Sequence, residues 1–398
     1  MRGDFLNKLE CVKNQFNSCS FIMGKIYCSL FSDGSIVELD SNTGAMRQLN
    51  TTVISEPDCW SNGGMDYLYA DEMIYIVENR RKKVACYDIK NDECKFYDLA
   101  GKWYTLSVPN YTLATIFEDN IYIFPRFDKE IMIFSLANNC MKDSFCLSIG
   151  DISVPSNDIL AEDPVSAAIF SNAKRLGENV FLTCDVLKKI VVFNFWGRSI
   201  SYKDYPVGLE QCADFIIKDD ILYFLSVYGD VYSYNMASEE WNIISVHGDK
   251  FEFGRFLVTD SNICLLPCLG NDILLYDIAG KEFNRYDNYP EDFVYALRYP
   301  GMAKFFGRCE DDEWYYMAMC AQNYMLKVSK TTGKFIWIKP KGISYEEKTR
   351  FYIKKGVAIT NESSEYGISA FLNYARYKHT GNYFEKCGKN IYEVMRGD

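Results

Sequence analysis

Only two histidines, His247 and His379, are available in this sequence for acid–base chemistry near neutral pH. They lie in different parts of the chain, so their spacing predicts no shared site. Neither a Gly-x-Ser-x-Gly nucleophile motif nor a glycine-rich phosphate loop is present. Carboxylate pairs carry no information, because 54 acidic residues make some pairing inevitable. The sequence therefore favours a non-catalytic protein without a cofactor, although enzymatic activity stays open.

Fifteen cysteines are scattered through apolar segments, for example at Cys28 and Cys264. No Cys-x-x-Cys pair of the kind that structural zinc uses occurs, and Cys264 and Cys268, with three residues between them, come nearest. We therefore predict no metal site. Reduced thiols that act as small core hydrophobes indicate a cytoplasmic protein. The first twenty residues fit that compartment, because they lack an uninterrupted apolar segment and a small-residue cleavage site.

The formal net charge of −11 argues against nucleic acid as a partner. Local basic clusters at residues 80–83 and 339–355 are predicted to be solvated turns. No apolar run reaches the roughly twenty residues that a membrane-spanning helix needs, so no membrane association is predicted. A chain that is 48% hydrophobic and 16% aromatic has ample surface to bury, which excludes a disordered protein.

An internal repeat determines the predicted fold. Seven residue pairs mark the units of the repeat: Ile26-Tyr27, Ile74-Tyr75, Ile121-Tyr122, Val180-Phe181, Ile221-Leu222, Ile263-Cys264 and Tyr315-Tyr316. Thirteen positions after each pair stands a small polar residue: Asp40, Asp88, Ser135, Asn194, Asn235, Asp277 and Ser329. Six positions later follows a hydrophobic residue: Met46, Cys94, Met141, Ile200, Trp241, Phe283 and Phe335. We interpret both sets as structural, since Asp, Asn and Ser can bond backbone NH groups nearby and fix a turn.

The spacing of the units identifies the architecture. Successive pairs are 48, 47, 59, 41, 42 and 52 residues apart, and a period in the forties with several short strands is typical of a β-propeller blade. A further strand is predicted before each pair, at residues 21–22, 67–69, 115–117, 167–170, 214–217, 255–258 and 294–298. The prediction is therefore an all-β fold, a seven-bladed β-propeller of four-stranded antiparallel blades.

The units resemble the kelch repeat, whose third strand reads hydrophobe-x-x-Tyr-Asp and whose fourth begins with Trp six residues later. The closest units are Val231-x-x-Tyr234-Asn235 with Trp241, and Ile273-x-x-Tyr276-Asp277 with Phe283. The resemblance covers roughly residues 16–340 and is degenerate, because the paired glycines of the second kelch strand are missing. Since some kelch-like propellers bind or isomerise sugar acids, the resemblance also allows such a ligand.

The end of the chain departs from the repeat. A single propeller domain is predicted over residues 1–360, in which strands near 351–353 and 357–359 either close the ring or form a partial eighth blade. Residues 361–398 are predicted to form a short C-terminal helical extension and tail. Its helix, at 365–377, carries an apolar face that we expect to dock on the propeller.

The connections between units supply one candidate binding surface. Aromatic and polar residues cluster there: Trp60, Trp103, Tyr104, Tyr205, His247, Tyr289, Glu291 and Asp292. Aromatic side chains around a concave mouth can stack on sugar rings or anchor a peptide, while the alternative is that they plug the channel. The sequence thus favours a non-catalytic binding or scaffold protein that holds a protein or peptide partner with its loops. The alternative is a carbohydrate- or sugar-acid-binding protein, or an isomerase- or lyase-type enzyme, that uses the axial channel.

Overall fold

The computed structural model describes residues 16–30, 36–49, 66–78, 82–100, 110–150, 152–156, 167–246, 248–270, 272–291, 293, 304–319 and 324–341. Within these ranges the chain forms 28 β-strands and no helix. The strands make seven antiparallel sheets, each built from four strands that are consecutive in sequence. The prediction of a seven-bladed β-propeller with four-stranded antiparallel blades is therefore confirmed.

The first four blades contain sixteen strands. Blade 1 comprises β1 (Phe16–Ile22), β2 (Lys25–Leu30), β3 (Ile36–Leu39) and β4 (Met46–Gln48). Blade 2 comprises β5 (Tyr67–Ala70), β6 (Met73–Glu78), β7 (Lys83–Asp88) and β8 (Glu93–Asp98). Blade 3 comprises β9 (Tyr111–Phe117), β10 (Asn120–Pro125), β11 (Glu130–Ser135) and β12 (Cys140–Cys146). Blade 4 comprises β13 (Asn172–Leu176), β14 (Asn179–Cys184), β15 (Lys189–Asn194) and β16 (Ser199–Asp204).

The remaining twelve strands form the last three blades. Blade 5 comprises β17 (Cys212–Lys218), β18 (Ile221–Ser226), β19 (Val231–Asn235) and β20 (Glu240–Ile244). Blade 6 comprises β21 (Phe253–Val258), β22 (Asn262–Pro267), β23 (Leu274–Asp277) and β24 (Glu282–Arg285). Blade 7 comprises β25 (Phe305–Glu310), β26 (Trp314–Met319), β27 (Met325–Ser329) and β28 (Phe335–Ile338).

The same turn joins the third strand to the fourth in every blade. In blade 1, Oδ1 of Asp40 accepts hydrogen bonds from the backbone amides of Asn42 (3.0 Å) and Thr43 (2.9 Å). The corresponding residues of the other blades accept bonds from amides two or three positions later: Asp88, Ser135, Asn194, Asn235, Asp277 and Ser329. These side chains bond amides within the turn, so they define where each outer strand begins.

Seven hydrophobic clusters hold the ring together, and each one combines residues from two neighbouring blades. The hydrophobic residue of the outer strand contributes to several of them. Trp241 lies 4.8 Å from Tyr234 between ring centroids and packs on the cluster of blades 4 and 5. Phe335 stacks on Tyr286 of blade 6 at 4.5 Å. Phe283 differs, because it is 39% exposed and contacts Tyr276 of its own blade.

The ring closes by direct packing of blade 7 on blade 1, where β1 contacts β25 and β26. Phe21 stacks on Tyr316, with ring centroids 5.4 Å apart and planes inclined by 5°. The backbone amide of Lys341 donates to the carbonyl of Gly44 at 2.7 Å. Each blade keeps its own four strands, so side-chain packing and this single backbone bond, rather than strand exchange, join the two blades within the described residues.

The backbones of blades 7 and 1 approach most closely at Gly307 in β25. A Cβ atom on this residue would lie 2.6 Å from the amide nitrogen of Cys19 and 2.7 Å from Cα of Ser18. Real Cβ contacts are not this short, so the closure requires a residue without a side chain at this position.

Two of the predicted first strands are wrong in position. In blade 4 the first strand is β13, and residues 167–170 are irregular. The amides of Ile169 and Phe170 both donate to the carbonyl of Arg126, so these apolar residues pack in the core without joining a ladder. In blade 7 the first strand is β25, whereas residues 294–298 lie outside the described residues. The strands predicted at 351–353 and 357–359, and the helix predicted at 365–377, also lie outside them.

Candidate ligand site in the axial channel

The first strands of the seven blades surround the axis of the ring, and every neighbouring pair is in contact. They are β1, β5, β9, β13, β17, β21 and β25. Each begins at the face of the ring that carries the connections between blades and the turns between second and third strands. We call this end the connection face. Side chains alternate along a strand. In each first strand, the residues that do not pack into the blade interfaces therefore point toward the axis and the neighbouring first strands.

A buried ion pair links three of these strands. Nη1 of Arg308 in β25 lies 2.7 Å from Oδ2 of Asp214 in β17, and their side chains are only 9% and 6% exposed. Arg308 also donates to the carbonyls of Phe215 (2.8 Å) and Phe256 (2.9 Å). Oδ2 of Asp214 accepts the backbone amide of Phe256 at 3.2 Å. Blades 5, 6 and 7 are therefore joined at the axis by charge-assisted hydrogen bonds.

A second arginine, Arg255 in β21, borders the same carboxylate. Its Nη1 lies 4.0 Å from Oδ1 of Asp214, and its guanidinium donates to the carbonyls of Ala213, Gly254 and Phe306. Two cations thus share one carboxylate in this part of the wall.

Lys174 in β13 contributes a cation that has no counterion in contact. Its ammonium group makes no hydrogen bond or ion pair within the described ranges of the chain. Desolvation by the surrounding protein and repulsion from Arg308 lower the pKa of Lys174 to about 8, against the attraction of Asp214, Glu310 and Asp66. These groups belong to blades 2, 5 and 7, so the half-buried side chain of Lys174 interacts across the channel.

Asp66 immediately precedes β5 and lies at the connection face. Its Oδ2 accepts the backbone amide of Ala114 at 2.6 Å, which ties blade 2 to blade 3. Burial raises the pKa of Asp66 to about 6, although the Ala114 amide and the charge of Lys174 oppose that shift. Asp66 and Lys174 are therefore a carboxyl group and an amine that both titrate close to neutral pH.

Arg126 follows β10 at the same face and carries an unsatisfied donor. Its Nη2 donates to the carbonyl of Ser171 at 3.2 Å, but its buried Nε has no hydrogen-bond partner. Burial and the nearby charge of Arg255 lower the pKa of Arg126 to about 10, whereas Asp185 opposes the shift. A buried donor without an acceptor is costly, and a ligand oxygen would remove that cost.

Asp185, in the turn after β14, is held rigidly beside Ser171. It accepts hydrogen bonds from the hydroxyl of Tyr205 (3.0 Å), from the amide of Cys212 (3.1 Å) and from the hydroxyl of Ser171. Burial raises the pKa of Asp185 despite these donors. Because its donors all come from the protein, we interpret Asp185 as a group that positions the wall between blades 4 and 5.

Together these residues form a cluster with more cations than anions. Its cations are Arg126, Lys174, Arg255 and Arg308, and its carboxylates are Asp66, Asp185 and Asp214. The whole chain carries a net charge of −11, so the positive excess is local. The cluster carries both signs, and its small local excess of cations favours ligands of the opposite sign. We call this set the channel cluster.

The structure places three of the eight connection residues that the sequence singled out. Tyr205 is half-buried and bonds Asp185. Tyr289 packs on Phe293 (4.8 Å) and Trp337 (5.7 Å) between ring centroids, and Glu291 is exposed. Tyr205 and Tyr289 belong to separate clusters at different blade interfaces. The other five lie outside the described residues: Trp60, Trp103, Tyr104, His247 and Asp292.

Sequence reasoning missed most of the channel cluster, although a signal was present. Lys174, Asp214, Arg255 and Arg308 are charged residues inside the first strand of a unit. First strands of a propeller are enclosed on both sides, and charged residues are rarely buried unless they are paired or functional. A charged residue in the first strand of a unit therefore predicts a side chain near the axis of the ring.

Within the part of the chain that the structure describes, no three His, Cys, Asp or Glu side chains converge as metal ligands would. The same ranges include no helix with the length and apolarity to cross a bilayer. The cysteines described there are free thiols, most of them buried.

No protein-family model and no curated protein matches the sequence. Among solved structures, the chain is similar to virginiamycin B lyase from Staphylococcus aureus, with 13% identity and a TM-score of 0.55 over 78% of this chain and 93% of that one. It is also similar to an extracellular domain assigned to a one-component system of B. thetaiotaomicron (12%, TM-score 0.54), covering 83% of this chain and 46% of that one. A third similar structure is PorZ of Porphyromonas gingivalis (9%, TM-score 0.50; 83% and 39% covered). These likenesses concern the propeller fold.

Proposed function

We propose that this protein is a non-catalytic binding protein that holds an anionic group of its ligand in the axial channel. The observation that carries the proposal is the presence of two cations, Lys174 and Arg126, that lack a carboxylate partner among the described residues. Removing an unpaired cation from water costs free energy, and a ligand carboxylate or phosphate would offset that cost. Pairing in a partly desolvated channel is also stronger than at the open surface.

The finer features of the proposal follow from the sequence. The degenerate repeats support a kelch-like propeller, and the free, mostly buried cysteines support a cytoplasmic protein. A protein or peptide partner is the favoured ligand, and a sugar acid is the alternative. The connection residues Trp60 and Trp103 would contact the part of the bound ligand that extends beyond the channel.

A second candidate function is supported by Asp66 and Lys174. A carboxyl group with a pKa raised to about 6 and an amine with a pKa lowered to about 8 interact across one channel. Two groups whose pKa values lie on either side of 7 are suited to general acid–base catalysis. The candidate reaction is proton transfer at the carbon next to the carboxylate of a sugar acid, with the carboxylate of Asp66, ionised at pH 7, as base and the ammonium group of Lys174 as acid.

Isothermal titration with citrate, glucuronate and polyglutamate tests the binding function, with glucose as the neutral control ligand. We expect at least one anion to bind wild type, and Lys174→Met and Arg126→Met to weaken it about tenfold or more, the size of a lost charge-assisted hydrogen bond. Lys95→Met is the matched control, because this exposed lysine lies on the outer strand β8. Failure of all three anions to bind, or equal affinity in wild type and both channel variants, would refute the function.

Two further measurements separate the alternatives. Deuterium exchange at the carbon next to the carboxylate of glucuronate, followed by NMR, tests catalysis. Exchange that depends on Lys174 would establish the second candidate, and its absence with a bound sugar acid would exclude it. Trp60→Ala and Trp103→Ala test the connection residues, because a thermal shift that survives both substitutions removes these tryptophans from the site.

A further inference from the structure

Four exposed apolar side chains lie on neighbouring loops of the connection face. Val186 and Tyr228 are in the turns after β14 and β18, Val207 is in the connection from β16 to β17, and Leu269 follows β22. Their exposed fractions are 57% for Val186, 101% for Val207, 47% for Tyr228 and 49% for Leu269. Single exposed apolar residues are common, but a row at one face indicates a contact surface.

Backbone hydrogen bonds join these loops into one continuous surface. The amide of Tyr205 donates to the carbonyl of Lys188 at 2.8 Å, which joins the Val186 turn to the connection that carries Val207. The amide of Val227 donates to the carbonyl of Gln211 at 3.2 Å, which joins that connection to the Tyr228 turn.

The same pattern continues to blade 6. The amide of Phe251 donates to Val227 at 2.6 Å, and the amide of Leu269 donates to Phe251 at 3.0 Å. The four apolar residues therefore occupy a fixed series of positions across blades 4, 5 and 6. We call this series the apolar row.

Positive charge accompanies the apolar row on the side of the channel. Arg255 lies in the first strand of blade 6, and Nζ of Lys304 donates to the carbonyl of Cys268, the neighbour of Leu269, at 3.2 Å. Arg126 lies at the same face one blade before Val186. A ligand that covered the row would therefore meet these cations together with two carboxylates of the same loops, Asp185, which is bonded to protein donors, and Glu210, which pairs with Lys188.

We infer that the anionic ligand is a polypeptide segment in which an acidic side chain enters the channel toward Lys174 while neighbouring apolar side chains pack on the apolar row. The inference rests on the proposed function, because it assigns the anionic group to a protein partner. A small anion would fill the channel cluster and leave the row exposed. Alternating acidic and apolar side chains match both surfaces at once.

Fluorescence anisotropy with two labelled polymers tests this inference: polyglutamate, and a random copolymer of glutamate and tyrosine. We expect the copolymer to bind wild type about tenfold more tightly than polyglutamate, since its rings bury apolar surface. The double variants Val186→Ser/Val207→Ser and Tyr228→Ser/Leu269→Ser should each reduce that preference and leave polyglutamate binding unchanged. Leu176→Ser/Ile278→Ser is the control, because both residues are exposed but lie at the opposite face, where β13 ends and where β23 turns into β24.

The outcomes separate this inference from the function on which it rests. If polyglutamate binds through Lys174 but the copolymer binds no better, or if its preference survives both row variants, the polypeptide inference is wrong and the binding function stands. If neither polymer nor any small anion binds, both are wrong.

Discussion

Breaking the axial ion pair should destabilise the whole propeller. In Arg308→Met the carboxylate of Asp214 keeps the amide of Phe256 but loses its contact at 2.7 Å, and the carbonyls of Phe215 and Phe256 lose their donors. Removing one partner of a buried pair costs about 3–5 kcal/mol, because the remaining charge loses its close partner, and Arg255 at 4.0 Å compensates Asp214 only in part.

That cost translates into a measurable change of melting temperature. With an unfolding entropy of about 2.1 cal/mol/K per residue, a chain of 398 residues should show a Tm lower by about 4–6 °C. Circular dichroism during thermal unfolding gives Tm directly. Because three blades share the contacts of Arg308, we expect one cooperative transition to shift rather than a new early transition to appear.

Two comparisons make the result specific. Arg198→Met removes an inter-blade pair of the same chemistry, Arg198 with Asp143 at 3.2 Å, whose side chains are 42% and 51% exposed, so its cost should be about 0–1 kcal/mol. Adding Asp214→Asn to Arg308→Met should recover part of the lost Tm, because the uncompensated charge is removed. Equal Tm changes in Arg308→Met and Arg198→Met would refute the argument that the buried pair holds the axis.

Three other substitutions test separate features. Gly307→Ala should lower Tm by about 1–4 °C, the equivalent of roughly 1–3 kcal/mol of overpacking. Gly280→Ala should change Tm little, because its Cβ would have no neighbour closer than 3.4 Å. Equal effects of the two substitutions would contradict the close approach of blades 7 and 1 at Gly307. Burial raises the pKa of Asp66 to about 6 from an ordinary 3.8. Ionised Asp66 therefore lowers the free energy of unfolding, and this cost is complete at pH values above that raised pKa. Asp66→Asn should therefore be more stable than wild type at pH 7, with an advantage that fades in thermal melts as the pH falls from 6 to 4; a constant difference would contradict this. Tyr205→Phe removes one donor to Asp185 and should lower Tm by about 1–3 °C, and an unchanged Tm would show that the hydroxyl does not stabilise the wall.

The repeat was visible in the sequence because its determinants are local. A residue such as Asp40 bonds amides two and three positions away, and strand alternation has a period of two residues, so both leave a pattern within one unit. This pattern recurs in all seven blades and predicts the number and order of the strands. How the ring closes depends instead on backbone proximity between Gly307 and Cys19, which no single unit encodes.

The errors and omissions have physical causes. Ile169 and Phe170 have the composition of a strand, yet their amides bond the carbonyl of Arg126 in another blade. The channel cluster arises only when the ring has formed, since Asp214 and Arg308 are 94 residues apart in sequence. Their types are visible in the sequence, but their proximity is a consequence of the sevenfold arrangement.

The central claim is that Lys174 provides positive charge for an anionic ligand. Its pKa is lowered to about 8, so the amine loses its charge as the pH rises from 7 to 9, whereas the carboxylates of polyglutamate stay ionised over that range. The decisive measurement is the affinity of wild type, Lys174→Arg and Lys174→Met for polyglutamate at pH 7 and pH 9. We predict that wild type binds clearly more weakly at pH 9, that Lys174→Arg retains its affinity, and that Lys174→Met is weak at both. Equal affinity of wild type at the two pH values, or wild-type affinity in Lys174→Met, would contradict the account.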